Sequence, residues 1–160
     1  MSDAQAPATT PEDKGGLAAS ENLLYGLLAV LATGLGVAVY LVRHKLALKT
    51  GILKDSSCNF NSTLNCDAVN TSQYSELFGL PIAMYAIPTY AVMAYLAWTG
   101  LKSLSAVDEK DRQSGVIAMT AVAGIGLLAT AHSLYMAYLS TAVLGVYCVF
   151  CMSLYAVNIV

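Results

Sequence analysis

LLYGLLAVLATGLGVAVYLV, residues 23–42, runs for 20 positions without a charge before Arg43, His44 and Lys45 interrupt it. A helix of that length rises about 30 Å, the thickness of a bilayer's hydrocarbon core, so this stretch is expected to cross a membrane. Gly34 and Gly36 would let a neighbouring helix approach it closely. The whole chain agrees: 57 % of its residues are hydrophobic and 11 % charged, with mean hydropathy +0.61, against about 25 % charged in an average soluble domain.

Working outward from that run, apolar segments recur over about 79–99, 115–139 and 142–160. The predicted fold is an all-α membrane protein: a four-transmembrane-helix bundle with a cysteine-bearing extracytoplasmic loop and a short helix. Pro81 is expected in the first turn of the second span and Pro88 at a kink within it. Residues 101–114, with Asp108, Glu109, Lys110, Asp111 and Arg112, form the loop on the opposite side. Residues 1–20 have little to bury and read as a disordered cytoplasmic tail, leaving 21–160 as one transmembrane domain. No basic start leads directly into an apolar run, so the first span is expected to stay as an anchor. The sequence stops within the fourth apolar segment, and a domain cut from a longer protein is the expectation.

Charge points to no partner. Eight Lys and Arg against ten Asp and Glu give a net charge of −2, and no basic run suggests nucleic acid. The positive-inside rule is silent as well, with Lys14, Lys102, Lys110 and Arg112 on one side and Arg43, Lys45, Lys49 and Lys54 on the other.

The chemistry lies in four cysteines arranged as two pairs. Cys58 and Cys66 enclose seven residues of the polar loop, and Cys148 and Cys151 form a C-x-x-C at the start of an apolar segment. Thiol exchange needs two sulfurs at each station so that a mixed disulfide can be resolved, and C-x-x-C holds such a pair on one helical turn. A structural disulfide is the plain alternative for Cys58 and Cys66. Disulfides persist on the oxidising side of a membrane, and four spans put both pairs on that side. No metal site is expected, since the spacings match no compact zinc or iron–sulfur pattern, and Met152 follows the C-x-x-C where covalent haem attachment would need His.

Cys148, Cys151, Tyr155 and Asn158 recur at offsets of 0, 3, 7 and 10, one stripe of a helix. Polar groups in lipid are costly, so the stripe should face other helices or a bound ligand; for Asn158, helix–helix contact is an equal alternative. A helix start near Tyr147 would favour the Cys148 thiolate. NTSQYSELFGLP, residues 70–81, reads as a short amphipathic helix entering the second span, with Ser72 as a possible cap. His132 is either a proton carrier or, as is commoner, a partner in an interhelical hydrogen bond. The glycosylation sequons at Asn61 and Asn70 are given no function.

These residues form a pattern: C-x7-C, then Ser72, then Phe78-Gly79, then C-x-x-C-x3-Y-x2-N ending at Asn158. It resembles the vitamin K epoxide reductase family over about 23–160, and Gly79-Leu80-Pro81 looks like the family's bacterial branch. The resemblance implies four helices around a quinone, ubiquinone or menaquinone, as electron acceptor, and a thioredoxin-like protein or fused domain as thiol partner. It implies that Cys66 exchanges with that partner, that Cys58 passes electrons to Cys148, and that Cys151 faces the quinone. Ser72, Tyr155, Ser75, Phe78 and Asn158 would then surround the quinone. A bacterial plasma membrane with the cysteines on the periplasmic side is implied too. Reduction of vitamin K epoxide itself, an unrelated four-helix thiol oxidase and a non-catalytic anchor are the rival readings.

Overall fold

The computed structural model describes residues 11–53, 58–104 and 108–159, with side chains from residue 22 onward. It is predominantly α-helical. α1 (Pro11–Lys49) is followed by the cysteine loop and the short α2 (Cys66–Thr71). A 3₁₀ turn (Gln73–Ser75) leads into a hairpin of β1 (Glu76–Leu77) and β2 (Leu80–Pro81). α3 (Ile82–Leu104), α4 (Glu109–Tyr138), a π-helical turn (Leu139–Leu144) and α5 (Val149–Ile159) complete the chain.

Three helical stretches among the described residues, Asn22–Lys49, Ile82–Leu104 and Glu109–Leu144, are long and apolar enough to cross a membrane. α5 is apolar too, but its 11 residues fall short of the roughly 20 that a span requires. The apolar helix expected from about 142 thus begins at Val149. The reason lies in the preceding backbone: α4 runs on through its π turn to Leu144, and Gly145, at φ 65°, terminates it in the left-handed conformation.

Other expectations shift at element ends. The tail reading fails over residues 11–20, where α1 is already helical, while residues 1–10 lie outside the described residues. Pro11 suits a first helical position, since its fixed φ fits and the missing N–H has no helical acceptor there. α1 also continues past Arg43 to Lys49, because His44 and Lys45, two of the polar residues that seemed to end it, are buried against α2 and the hairpin. Residues 72–78 are not an amphipathic helix. The 3₁₀ turn gives way to the hairpin, whose two-residue connection, Phe78 at φ 52° and Gly79 at φ 79°, has both residues left-handed. That is a type I′ geometry, matched to the twist of paired strands. Pro81 consequently sits in β2 and not in the first turn of a helix.

The hairpin is tied to α1 by charge. The Lys45 ammonium, with the residue only 2 % exposed, bonds to Glu76 at 3.1 Å and donates to Ser75 Oγ; Lys49 reaches the same carboxylate. These cations hold the Glu76 carboxyl below its ordinary value of 4.5, the Lys49 hydrogen bond first and the Lys45 one second.

The helix core is built from Leu31, Ala38, Tyr90, Met93, Ala97 and Val122. Gly34 works as expected: a Cβ there would stand 2.8 Å from the Tyr90 ring, whereas Gly36 faces open space. The tightest helix contact is between α3 and α4, where a Cβ on Gly115 would meet Gly100 O and Leu104 N, each at 2.8 Å.

Gly115→Ala should therefore push these helices apart and cost about 1–3 kcal/mol, read as a lower Tm in detergent, whereas Gly36→Ala leaves Tm unchanged. A carboxyl whose folded pKa is depressed stabilises the fold above its unfolded pKa and loses that contribution as pH falls through the folded value. Wild-type protein should thus melt above Glu76→Gln at neutral pH, with the gap closing below pH 4.5.

Candidate functional site

Cys58 and Cys66 are joined in a disulfide, with their Cα atoms 5.8 Å apart. It lies under the loop, Cys58 being 6 % and Cys66 1 % exposed. Cys148, 1 % exposed, joins them and Leu41 in one buried cluster, with Cys151 packed against its edge. The structure therefore gathers all four cysteines predicted to carry the chemistry.

Backbone pairing does this gathering. Residues 145–148, between the π turn and α5, are not helical, so their amide groups need partners from elsewhere. Tyr147 N–H donates to Thr63 O at 2.7 Å, and Asn65 N–H donates to Tyr147 O at 3.0 Å. Leu64 and Tyr147 thus form a parallel bridge, with Cys66 two residues beyond it on one side and Cys148 one residue beyond it on the other.

Cys148 occupies the N-cap of α5. Its carbonyl accepts from Met152 N–H at 3.0 Å, and its sulfur accepts from Cys151 N–H at 3.3 Å. Both C-x-x-C thiols are reduced. Hydrogen bonding from the Cys151 thiol, aided by the Cys151 and Phe150 amides, draws the Cys148 thiol below its ordinary value against the opposing effects of burial and the Asp67 charge. Cys148 is thereby the sulfur better suited to exist as thiolate.

Beneath this cluster, between α1, α2, α3, α4 and α5, lies a cavity with about 140 Å³ of free space, about ten times what one water needs by the same measure. Of the residues expected around a quinone, Ser72, Ser75, Tyr155 and Asn158 line it, together with Cys151. Phe78 does not: it stands at the hairpin tip, 92 % exposed, because the type I′ turn points it away from the bundle. Nor does Cys148 share the cavity wall with the rest of its stripe, since the N-cap position turns its sulfur toward the loop.

Several cavity residues were not marked in the sequence as ligand contacts. Tyr90 donates to Asn158 Oδ1 at 2.8 Å, and Asn158 Nδ2 donates to Ser133 Oγ at 2.8 Å. Asn158 thus clamps α5 to both α3 and α4, so its two expected roles, helix contact and cavity wall, coincide. The interhelical bond expected of His132 is made by its neighbour Ser133, and His132 itself lines the cavity. Ser72 is committed to Val69 O at 2.8 Å and Ser75 to Asn70 O at 2.6 Å. Asn70, one of the two sequon asparagines, is buried at the cavity edge. No signal in one sequence joins Tyr90, Ser133 and Asn158, which come from three helices.

The arrangement is an apolar, ring-sized space with a thiol on one wall and a clamped amide about two helical turns further along α5. The model of the vitamin K epoxide reductase family matches residues 25–160, most of the chain. A search among curated proteins returned no match. The match spans every element that brings the four sulfurs and the cavity together, and the chain belongs to the vitamin K epoxide reductase family.

Proposed function

We propose that this membrane oxidoreductase takes electrons from a thioredoxin-like protein, or from a fused domain of that type, and passes them through its two cysteine pairs to a quinone. The observation that carries this reading is the file of sulfurs: loop disulfide, Cys148 and Cys151 in one packed group, with Cys151 opening onto a ring-sized cavity.

The chemistry balances without a metal. A partner thiolate attacks the loop disulfide and is resolved by the partner's second thiol, leaving the loop as a dithiol. A loop thiolate then attacks Cys148 of an oxidised C-x-x-C, releasing Cys151 as thiolate, and the second loop thiol resolves the mixed disulfide. When the Cys148–Cys151 bond forms again, two electrons and two protons convert quinone to quinol. Quinone is here the consumed oxidant, either ubiquinone or menaquinone, and the product on the partner side is a new disulfide.

The order of the loop cysteines in this proposal is reversed from the one the resemblance implied. Cys66 follows directly on the Leu64–Tyr147 bridge and is the more buried of the two, which favours it as the thiol that attacks Cys148. Cys58, the more exposed, is then the one that meets the partner. Because an oxidising compartment keeps such disulfides, we assign the cysteine face to the periplasmic side of a bacterial plasma membrane.

Cys151→Ser should lower quinone reduction by reduced thioredoxin-like protein in proteoliposomes by about 100-fold or more, followed through quinone absorbance. Unaltered turnover would return the cysteines to a structural role. Asn158→Leu leaves the Tyr90 and Ser133 hydroxyls without their partner, at about 1–2 kcal/mol. It should raise the KM for quinone about tenfold while leaving loop-to-C-x-x-C exchange unchanged.

A further inference from the structure

Beside the sulfur cluster lies a second buried group that the relay as written does not use. His44, on α1, is 7 % exposed. It sits one helical turn after Leu41, which packs on Cys58, Cys66 and Cys148. Its Nδ1 lies 3.1 Å from the Asn70 side-chain amide. Its Nε2 faces Asp67 Oδ1 at 3.3 Å, and both of these atoms are shut off from solvent. Asp67 follows Cys66 in the chain, and its other oxygen accepts from Asn59 Nδ2 at 2.6 Å; Asn59 follows Cys58. The polar chain Asn59–Asp67–His44–Asn70 thus runs from the loop cysteines to the cavity edge.

A carboxylate taken out of water is costly unless a cation or hydrogen bonds meet it. Imidazole can meet that need in two ways, as a neutral donor or as a cation, so the His44–Asp67 pair has room for exactly one additional proton. The relay needs such a place. A buried thiol must lose a proton to become the attacking thiolate, and the sulfur finally released must regain one.

We propose that His44, paired with Asp67, is the general base of the internal exchange: it takes the Cys66 proton as that sulfur attacks Cys148 and returns it to Cys148 when that sulfur is released. The inference rests on the relay proposed above. In the first step the Cys66–Cys148 bond forms, the Cys148–Cys151 bond breaks, Cys151 leaves as thiolate, and the proton passes to the pair. In the second step Cys58 gives its own proton to the Cys151 thiolate and attacks Cys66; the Cys58–Cys66 bond forms, and Cys148 leaves as thiolate and recovers the proton from the pair. Two electrons move from loop to C-x-x-C, and no outside reactant is consumed. The titratable and charged groups near His44 are Asp67 on α2, Tyr40, stacked on its ring at 5.8 Å, and Arg43 on α1; Cys148, ahead of α5, lies within electrostatic range of Asp67. Lys45 is turned to Ser75 and Glu76.

The test is single-turnover reduction of the oxidised full chain by dithiothreitol in detergent without quinone, quenched with acid and mapped by alkylation and mass spectrometry. Wild-type transfer from loop to C-x-x-C should depend less steeply on pH between about pH 6 and pH 8 than transfer in the variants does. In His44→Gln and in Asp67→Asn it should fall about 100-fold near neutrality and then climb about tenfold per pH unit, as the free thiolate fraction does. The Cys58→Ser, Cys151→Ser background, treated with the two-electron thiol oxidant diamide in place of dithiothreitol, reports reach, since it should accumulate a Cys66–Cys148 disulfide with and without the His44 or Asp67 change. An unchanged pH profile in both variants overturns the proposal, as does loss of the trapped disulfide in both, which would make the pair a strut. With quinone absent, failure here leaves quinone reduction standing, and failure of the quinone assay leaves this exchange standing.

Discussion

A chain that leaves one helix and starts another exposes backbone groups that have to be paired, and here that need sets the site. The π turn gives way at Gly145, α5 starts at Val149, and Tyr147 between them bonds to neither helix. Tyr147 satisfies both its N–H and its C=O on the cysteine loop. A loop that would otherwise be free in solvent is thereby seated over the N-cap of α5, and the Cys58–Cys66 disulfide is brought against Cys148. The sulfur cluster and the roof of the cavity follow from these two main-chain bonds.

The remainder of the bundle serves to hold that seat steady. Lys45 and Lys49 hold the hairpin to α1 through Glu76, and Asn158 ties α5 to α3 and α4. Where the helices carry no polar link, small residues take over: Gly34 admits the Tyr90 ring and Gly115 admits the backbone of α3. Tyr90, Ser133 and Asn158 are themselves part of the cavity wall, so the bonds among them fix its shape from three helices.

Hydropathy made the long helices legible, and the spacing of the cysteines made the sulfur cluster legible, because both signals are local. What escaped was set by pairing across the fold. Arg43, His44 and Lys45 look like the end of a span, yet α1 continues because His44 and Lys45 find partners on α2 and the hairpin. Phe78 looked like a ligand contact, but two left-handed residues in succession turn it outward. The stripe on α5 was legible except at Cys148, where capping geometry overrides helical period. Tyr90 and Ser133 line the cavity and meet Asn158 there, a contact between helices far apart in sequence.

The depth of the loop disulfide has a consequence for traffic. A thiolate attacks a disulfide along its axis, and with Cys66 at 1 % and Cys58 at 6 % exposure that line of approach is closed while the loop is seated. A small thiol drifting past meets a covered disulfide, and it gains entry only as often as the loop lifts from Tyr147. In the relay proposed above, seating works as insulation: it slows leakage from bystander reductants and favours a partner whose binding helps to lift the cover.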